Sequence, residues 1–204
     1  MDILSIIRKK RTKKIVLGII GEVNAGKTTL ANRIGRDFAG KEVGVASPIP
    51  HETREVCALE NCLFQANGGT VDLTLLDTPG ITSTVNYESF LSHGLSRKEA
   101  IQRAKEATKG VVEAIKALDS LDAAVLVVDA IQQPFNQVNW TILGNLAARN
   151  IPVIVAANKQ DLKGAEIGLE LIKDAFEENP VIPISALKGN NMDALYGEIA
   201  NSAA

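Results

Sequence analysis

Apolar residues along this chain fall into two alternating patterns. Five short runs are dominated by Val, Ile, Leu and Ala: "IVLGII" (15–20), "VDLTLL" (71–76), "AAVLVVDA" (123–130), "IPVIVAAN" (151–158) and "PVIPIS" (180–185). Each is bounded by Gly, Pro, Asn or Asp and is apolar on both faces, as parallel strands covered by helices are. Between them, apolar positions take helical spacing over Lys27–Phe38, Ser96–Leu118, Asn136–Arg149, Ala165–Glu178 and Met192–Asn201. The second helix opens with Ser96-Arg97-Lys98-Glu99, a capping-box pattern. A sixth strand, around "VCALENCLF" (56–64), precedes Gly68-Gly69, a hairpin-like turn into the 71–76 run. Together these predict an α/β domain: a doubly wound, mainly parallel six-stranded sheet with one antiparallel strand near an edge, flanked by helices.

With 204 residues, 46% of them hydrophobic, the chain can bury the core of one such domain. No apolar run is long enough to span a bilayer. The N-terminus reads apolar first and basic second, the reverse of a secretory signal. Cys57 and Cys62 are expected on opposite faces of one strand, unpaired, in a reducing cytoplasm. Charge is distributed unevenly. Residues 1–14 hold six of the 22 basic side chains and one of the 24 acids, so a basic tail (1–14) precedes an acidic body (15–204) of net charge −7. An acidic body argues against a nucleic-acid-binding main surface, so DNA is not expected as a partner and RNA is disfavoured.

The motifs sit where the strands end. "GEVNAGKT" (21–28) fits G-x-x-x-x-G-K-[ST] between a strand and a helix. In that setting the backbone N–H groups of Gly21, Glu22, Val23, Asn24, Ala25 and Gly26, with the helix start through Thr29, close around phosphate oxygens. Lys27 would neutralise the β- and γ-phosphates and Thr28 would ligate Mg²⁺. "LTLLDTPGITS" (73–83) ends an apolar strand on Asp77, whose carboxylate can reach that ion through a water. Gly80 offers a backbone N–H to a γ-phosphate. In "NKQD" (158–161), Asp161 can accept from both guanine N–H groups, a match adenine lacks. Asn158 serves the other edge of the base, and the Lys159 stem covers the ring. "SALK" (185–188) adds Ser185, Ala186 and Leu187, with the Ala186 N–H placed for the guanine carbonyl.

With these four motifs in this order over residues 15–200, the chain resembles a small GTPase of the Ras-like P-loop superfamily, and "DTPG" brings it nearest the Era-like branch. The resemblance implies a single GTPase domain that binds GTP or GDP with Mg²⁺, hydrolyses GTP, and switches a partner's affinity. It also implies a switch threonine as a third metal ligand. Thr53, in "PHETREV" (50–56), is the only threonine between Leu30 and Gly69 and so the candidate. Catalytic roles are expected at Lys27, Thr53, Gly80 and Asn24.

The sequence departs from that pattern in several places. Ras-like proteins have a water-orienting glutamine after the switch glycine; here Ile81 can neither donate nor accept. Slow intrinsic hydrolysis is therefore expected, with charge supplied from elsewhere. Several Era-like GTPases hold K⁺ through an asparagine at the position of Asn24, but Arf-like proteins also carry one without using potassium. An activating partner or a dimer is the alternative. Era proteins have a C-terminal RNA-binding domain for which this chain leaves no room, yet an Era-like role in ribosome or RNA assembly stays open beside a non-hydrolysing scaffold. Ile81–Leu121 is longer than a compact switch requires, and its Tyr87, Phe90 and Leu91 are candidates for core or for a partner surface. Residues 2–14 resemble the amphipathic N-terminal segment of Arf-like GTPases, without its glycine at position 2. They suggest peripheral contact with the inner face of the membrane by an otherwise cytoplasmic protein.

Overall fold

The computed structural model describes residues 12–44, 55–66, 69–82, 87–92 and 94–202, apart from the side chains of residues 66, 69, 87 and 89. Six strands form one sheet: β1 (Thr12–Gly21), β2 (Cys57–Ala66), β3 (Gly69–Asp77), β4 (Ala123–Asp129), β5 (Val153–Asn158) and β6 (Val181–Pro183). Their spatial order is β2-β3-β1-β4-β5-β6. Every pairing is parallel except β2 with β3, which places the one antiparallel strand at an edge, as expected. Among the described residues the α-helices are α1 (Lys27–Ala39), α2 (Tyr87–Leu91), α3 (Arg97–Ala117), α4 (Gln137–Ala147), α5 (Ala165–Ala175) and α6 (Met192–Ser202).

The strands are apolar on both sides because both sides are covered. Alternate residues of β1, β3, β4 and β5 (Leu17, Leu73, Val125, Ile154) pack with Leu30 and Ile34 of α1 and Leu195 and Ile199 of α6. Their neighbours (Ile20, Leu126, Val155) pack with Ala114 of α3, Ile142 and Leu146 of α4, and Ile172 of α5. The capping box at α3 forms: the Glu99 N–H donates to Ser96 Oγ, and the Ser96 N–H to Glu99 Oε2 at 2.9 Å. The Ser96 hydroxyl, which donates to the same carboxylate oxygen, and then the Ser96 N–H hold the exposed Glu99 carboxyl below its ordinary value.

Two readings need correction. Strand β1 begins at Thr12, with Thr12, Lys13 and Lys14 paired to Thr70, Val71 and Asp72, so the last three residues assigned to the tail belong to the sheet. Cys57 and Cys62 lie opposite Asp77 and Leu73, four residues apart on β3, and therefore share one face. Between them Glu60 and Asn61 stand against one residue, and Asn61 takes φ 62°, a bulge that absorbs the extra residue and cancels the alternation. Neither cysteine is in a disulfide. The long switch segment is helical ahead of α3 as well, over Tyr87–Leu91. Phe90 of α2 is fully buried against Ala100 and Ala107 of α3, as a core residue, while Leu91 is exposed. The side chain of Tyr87 lies outside the described residues.

Candidate functional site

Strands β1, β3, β4 and β5 all end at one rim of the sheet, and their terminal residues are the chemically loaded ones. After β1, Gly21 turns the chain into the loop that ends at Gly26, the left-handed cap of α1 (φ 98°). A Cβ on Gly26 would run into Asn158 Nδ2. The glycine therefore keeps the phosphate loop against the base loop as well as leaving room for phosphate. Lys27 is buried, with its ammonium donating to the Glu22 carbonyl at 2.8 Å across the loop. Burial pulls its pKa down to about 8, opposed by the negative charges of Asp77 and then Glu22.

Asp77 is fully buried at the end of β3. Its Oδ2 accepts from Thr28 Oγ1 at 2.7 Å, while Oδ1 has no hydrogen-bond partner. Burial raises the carboxyl's pKa, and the Thr28 hydrogen bond and Lys27 pull it back in part. A buried carboxylate oxygen without a partner is costly unless something fills the place. Hard oxygen donors at Thr28 and Asp77 suit Mg²⁺, which takes few protein ligands and completes its shell with phosphate and water.

Gly80 passes close over the phosphate loop: an added Cβ would lie 2.7 Å from Val23 Cγ2 and 3.2 Å from Lys27 Nζ. The next residue, Ile81, bridges to Glu22 and buries its side chain in the core under α3. Asn24 stands exposed at the tip of the loop with φ 62°. Asn32 of α1 accepts from the Val43 and Gly44 N–H groups at 2.7 and 3.1 Å, leading the chain past Thr28 into residues 45–54. Thr53 falls in that stretch, outside the described residues.

At the other end of the rim, Asn158 donates to the Ala25 carbonyl at 2.9 Å and accepts from the Ala186 N–H at 3.0 Å. One side chain thus ties the phosphate loop, β5 and the loop after β6 together. The Ala186 N–H expected to meet the base is engaged by Asn158 in this structure. Ser185 Oγ donates to Asp161 Oδ1 at 2.6 Å, which orients an exposed carboxylate. Lys159, at φ 69°, pairs its ammonium with Asp129 Oδ2 at 2.6 Å, and Asp129 Oδ1 accepts from the Ile131 N–H.

Three residues that the sequence did not single out contribute here. Asp129 anchors Lys159. Asn136, the cap of α4, donates to Glu22 Oε2 at 3.2 Å. Burial raises the Glu22 carboxyl, and that hydrogen bond lowers it in part. Arg33 of α1 reaches the loop after β6. Only Asp129 had a visible signal, as an acid closing an apolar strand just as Asp77 does.

A doubly wound sheet with a G-x-x-x-x-G-K-[ST] loop after β1, a Thr–Asp pair beside it and an Asn/Asp/Ser cluster beyond it has the arrangement of a P-loop GTPase domain. The model of the family described as 50S ribosome-binding GTPase matches residues 16–159. The chain belongs to that family. Among curated relatives, GTPase Era of Halothermothrix orenii is 31% identical over 185 residues, which cover 90% of this chain and 53% of that protein. A point variant of Aquifex aeolicus Era bound to GDP·AlF4⁻ superimposes with a TM-score of 0.71 at 26% identity, over 93% of this chain and 57% of that one. Era in complex with MgGDPNP and nucleotides 1506–1542 of 16S ribosomal RNA gives 0.71 at 28% identity, over 94% and 57%. The chain thus spans little more than half the length of these relatives.

Proposed function

We propose that this protein is a small GTPase that binds GTP or GDP with Mg²⁺, hydrolyses GTP slowly to GDP and phosphate, and acts as a nucleotide-dependent switch. The observation that carries the reading is the joint placement of Lys27, Thr28 and Asp77 at one end of a rim whose other end holds Asn158, Asp161 and Ser185. A triphosphate and a guanine ring need both ends at once. Lys27 meets the β- and γ-phosphates, Thr28 and Asp77 hold the metal side, and Asp161 reads the base. Bound Mg²⁺ would neutralise charge on the phosphate oxygens. Gly80, and Thr53 by resemblance, sense the γ-phosphate and are released when it leaves. The test is displacement of a fluorescent GDP by GTP but not ATP, followed by single-turnover phosphate release. Displacement without phosphate release would make the protein a guanine-nucleotide-binding scaffold.

A second reading, a role in ribosome or RNA assembly, is favoured by the similarity to Era, whose complex with 16S ribosomal RNA is among the structural matches. The acidic body weighs against it. Co-sedimentation with ribosomal subunits in GTP and in GDP decides the point. The effector and any activating protein are the partners such a switch requires. No described helix is long and apolar enough to cross a membrane. The peripheral membrane contact rests on the sequence of the tail alone. Because β1 starts at Thr12, its test is flotation with anionic liposomes before and after deleting residues 2–11, and equal flotation ends that idea.

A further inference from the structure

Helix α1 starts at the phosphate loop, and two turns along it Arg33 turns toward the loop after β6. Its Nε donates to the Ala186 carbonyl at 3.3 Å and its Nη2 to the Leu187 carbonyl at 3.1 Å. The guanidinium lies against Gly189, which takes φ 79°. A Cβ there would sit 3.2 Å from Arg33 Cζ and 3.4 Å from each Nη, a tight contact, so glycine suits both the left-handed backbone and the flat group stacked on it. A planar fork fitted to two successive carbonyls fixes the peptides that bear them.

The donors of that loop are otherwise assigned. The Ala186 N–H goes to Asn158 Oδ1 at 3.0 Å, and the Lys188 N–H to Ser185 Oγ at 3.1 Å. Among the described residues none accepts from the Leu187 N–H. In a trans peptide the N–H points opposite to the carbonyl it follows. Gripping the Ala186 carbonyl from α1 therefore turns the Leu187 N–H away from Arg33 and leaves it open to a ligand.

We propose that Arg33 is a positioning residue for guanine specificity: it aims the Leu187 N–H at the carbonyl oxygen of the base, alongside the edge read by Asp161. The inference rests on the guanine-nucleotide reading above. It makes α1 a rigid link between the phosphate end and the base end of the site.

The test uses GDP and 6-thio-GDP, which keeps both N–H groups read by Asp161 and exchanges only the carbonyl oxygen for sulfur, a weaker acceptor. Wild type should prefer GDP. Arg33→Ala should lose about five- to tenfold in GDP affinity, the value of one aimed hydrogen bond, with less than about twofold change for 6-thio-GDP. Arg33→Lys should behave like Arg33→Ala, since one ammonium cannot grip both carbonyls, and it serves if the alanine variant folds poorly. Equal losses for both nucleotides would indicate general loosening and overturn the proposal, as would no loss in either. A wild type that rejects ADP yet binds GDP and 6-thio-GDP alike overturns this inference alone. A wild type that binds ADP as tightly as GDP overturns the guanine reading on which it stands.

Discussion

The backbone N–H of Ile81 donates to the Gly21 carbonyl at 3.2 Å, stapling the residue after the switch glycine to the first residue of the phosphate loop. Only 5% exposed, Ile81 is a core residue packed with Ile20, Ala114 and Leu118. Its work is structural, holding β3 and the phosphate loop in register.

Substituting Ile81 by Gln should therefore fail to restore hydrolysis. An amide buried among Ile20 and Leu118 without partners costs about 1–3 kcal/mol, so the melting temperature should fall. Single-turnover phosphate release and thermal melting check this together. Faster turnover at unchanged stability would show that the side chain can reach the phosphates.

Nucleotide affinity should fall as pH rises past about 8. The Lys27 ammonium is lowered from 10.5 to about 8 in the folded protein, mainly by burial. Phosphates beside it push the value back up, so binding takes up a proton near and above that pH. Folding responds with the opposite sign. Between about 8 and 10.5 the unfolded chain binds more protons, so the nucleotide-free protein gains stability from this group as pH rises. Titration calorimetry of GDP in buffers of different ionisation enthalpy should give different heats at pH 8, and identical heats would refute the proton uptake.

For Asp77→Asn the expectation splits by ligand. The variant should lose on the order of 10–100-fold in Mg²⁺ affinity of the nucleotide complex, since the carboxylate that orients the ion is gone. Without nucleotide it should be at least as stable as wild type. Burial raises the carboxyl above 3.8, so the folded state prefers the proton and stability drains away as pH rises above that value. The variant should lack that pH dependence in thermal melts. An apoprotein that is destabilised at neutral pH would contradict this account.

Asp161→Asn should exchange guanine for xanthine preference, because the amide matches a carbonyl where guanine carries its amine. Competition between GDP and XDP reads the outcome. Retained GDP preference would place base recognition elsewhere than on the carboxylate that Ser185 holds at 2.6 Å.

GTP turnover in KCl and in NaCl at equal ionic strength tests Asn24, which is exposed at the tip of the phosphate loop. Several-fold stimulation by potassium that vanishes in Asn24→Ala would assign the missing charge to the ion. Equal rates in both salts would assign it to a partner or a dimer.

The sheet, its one antiparallel edge and the rim of motifs could all be read from the order of residues. Strands buried on both faces must be apolar throughout, and the glycines, Asp77 and Asn158 that break those runs lie where the strands end at one rim of the sheet. Local rules sufficed for these because strand period, capping and loop chemistry act within a few residues. The remaining features depend on contacts between residues far apart in the chain. Nothing near Arg33 in sequence announces carbonyls 153 and 154 residues away, and nothing near Asn136 announces Glu22. The bulge at Glu60–Asn61 depends on how β2 registers against β3, and it alone puts Cys57 and Cys62 on one face. Ile81 read as a missing catalytic group until packing made it core. Each of these outcomes turns on which distant backbone carries the complementary atom, and only the folded chain brings the two together.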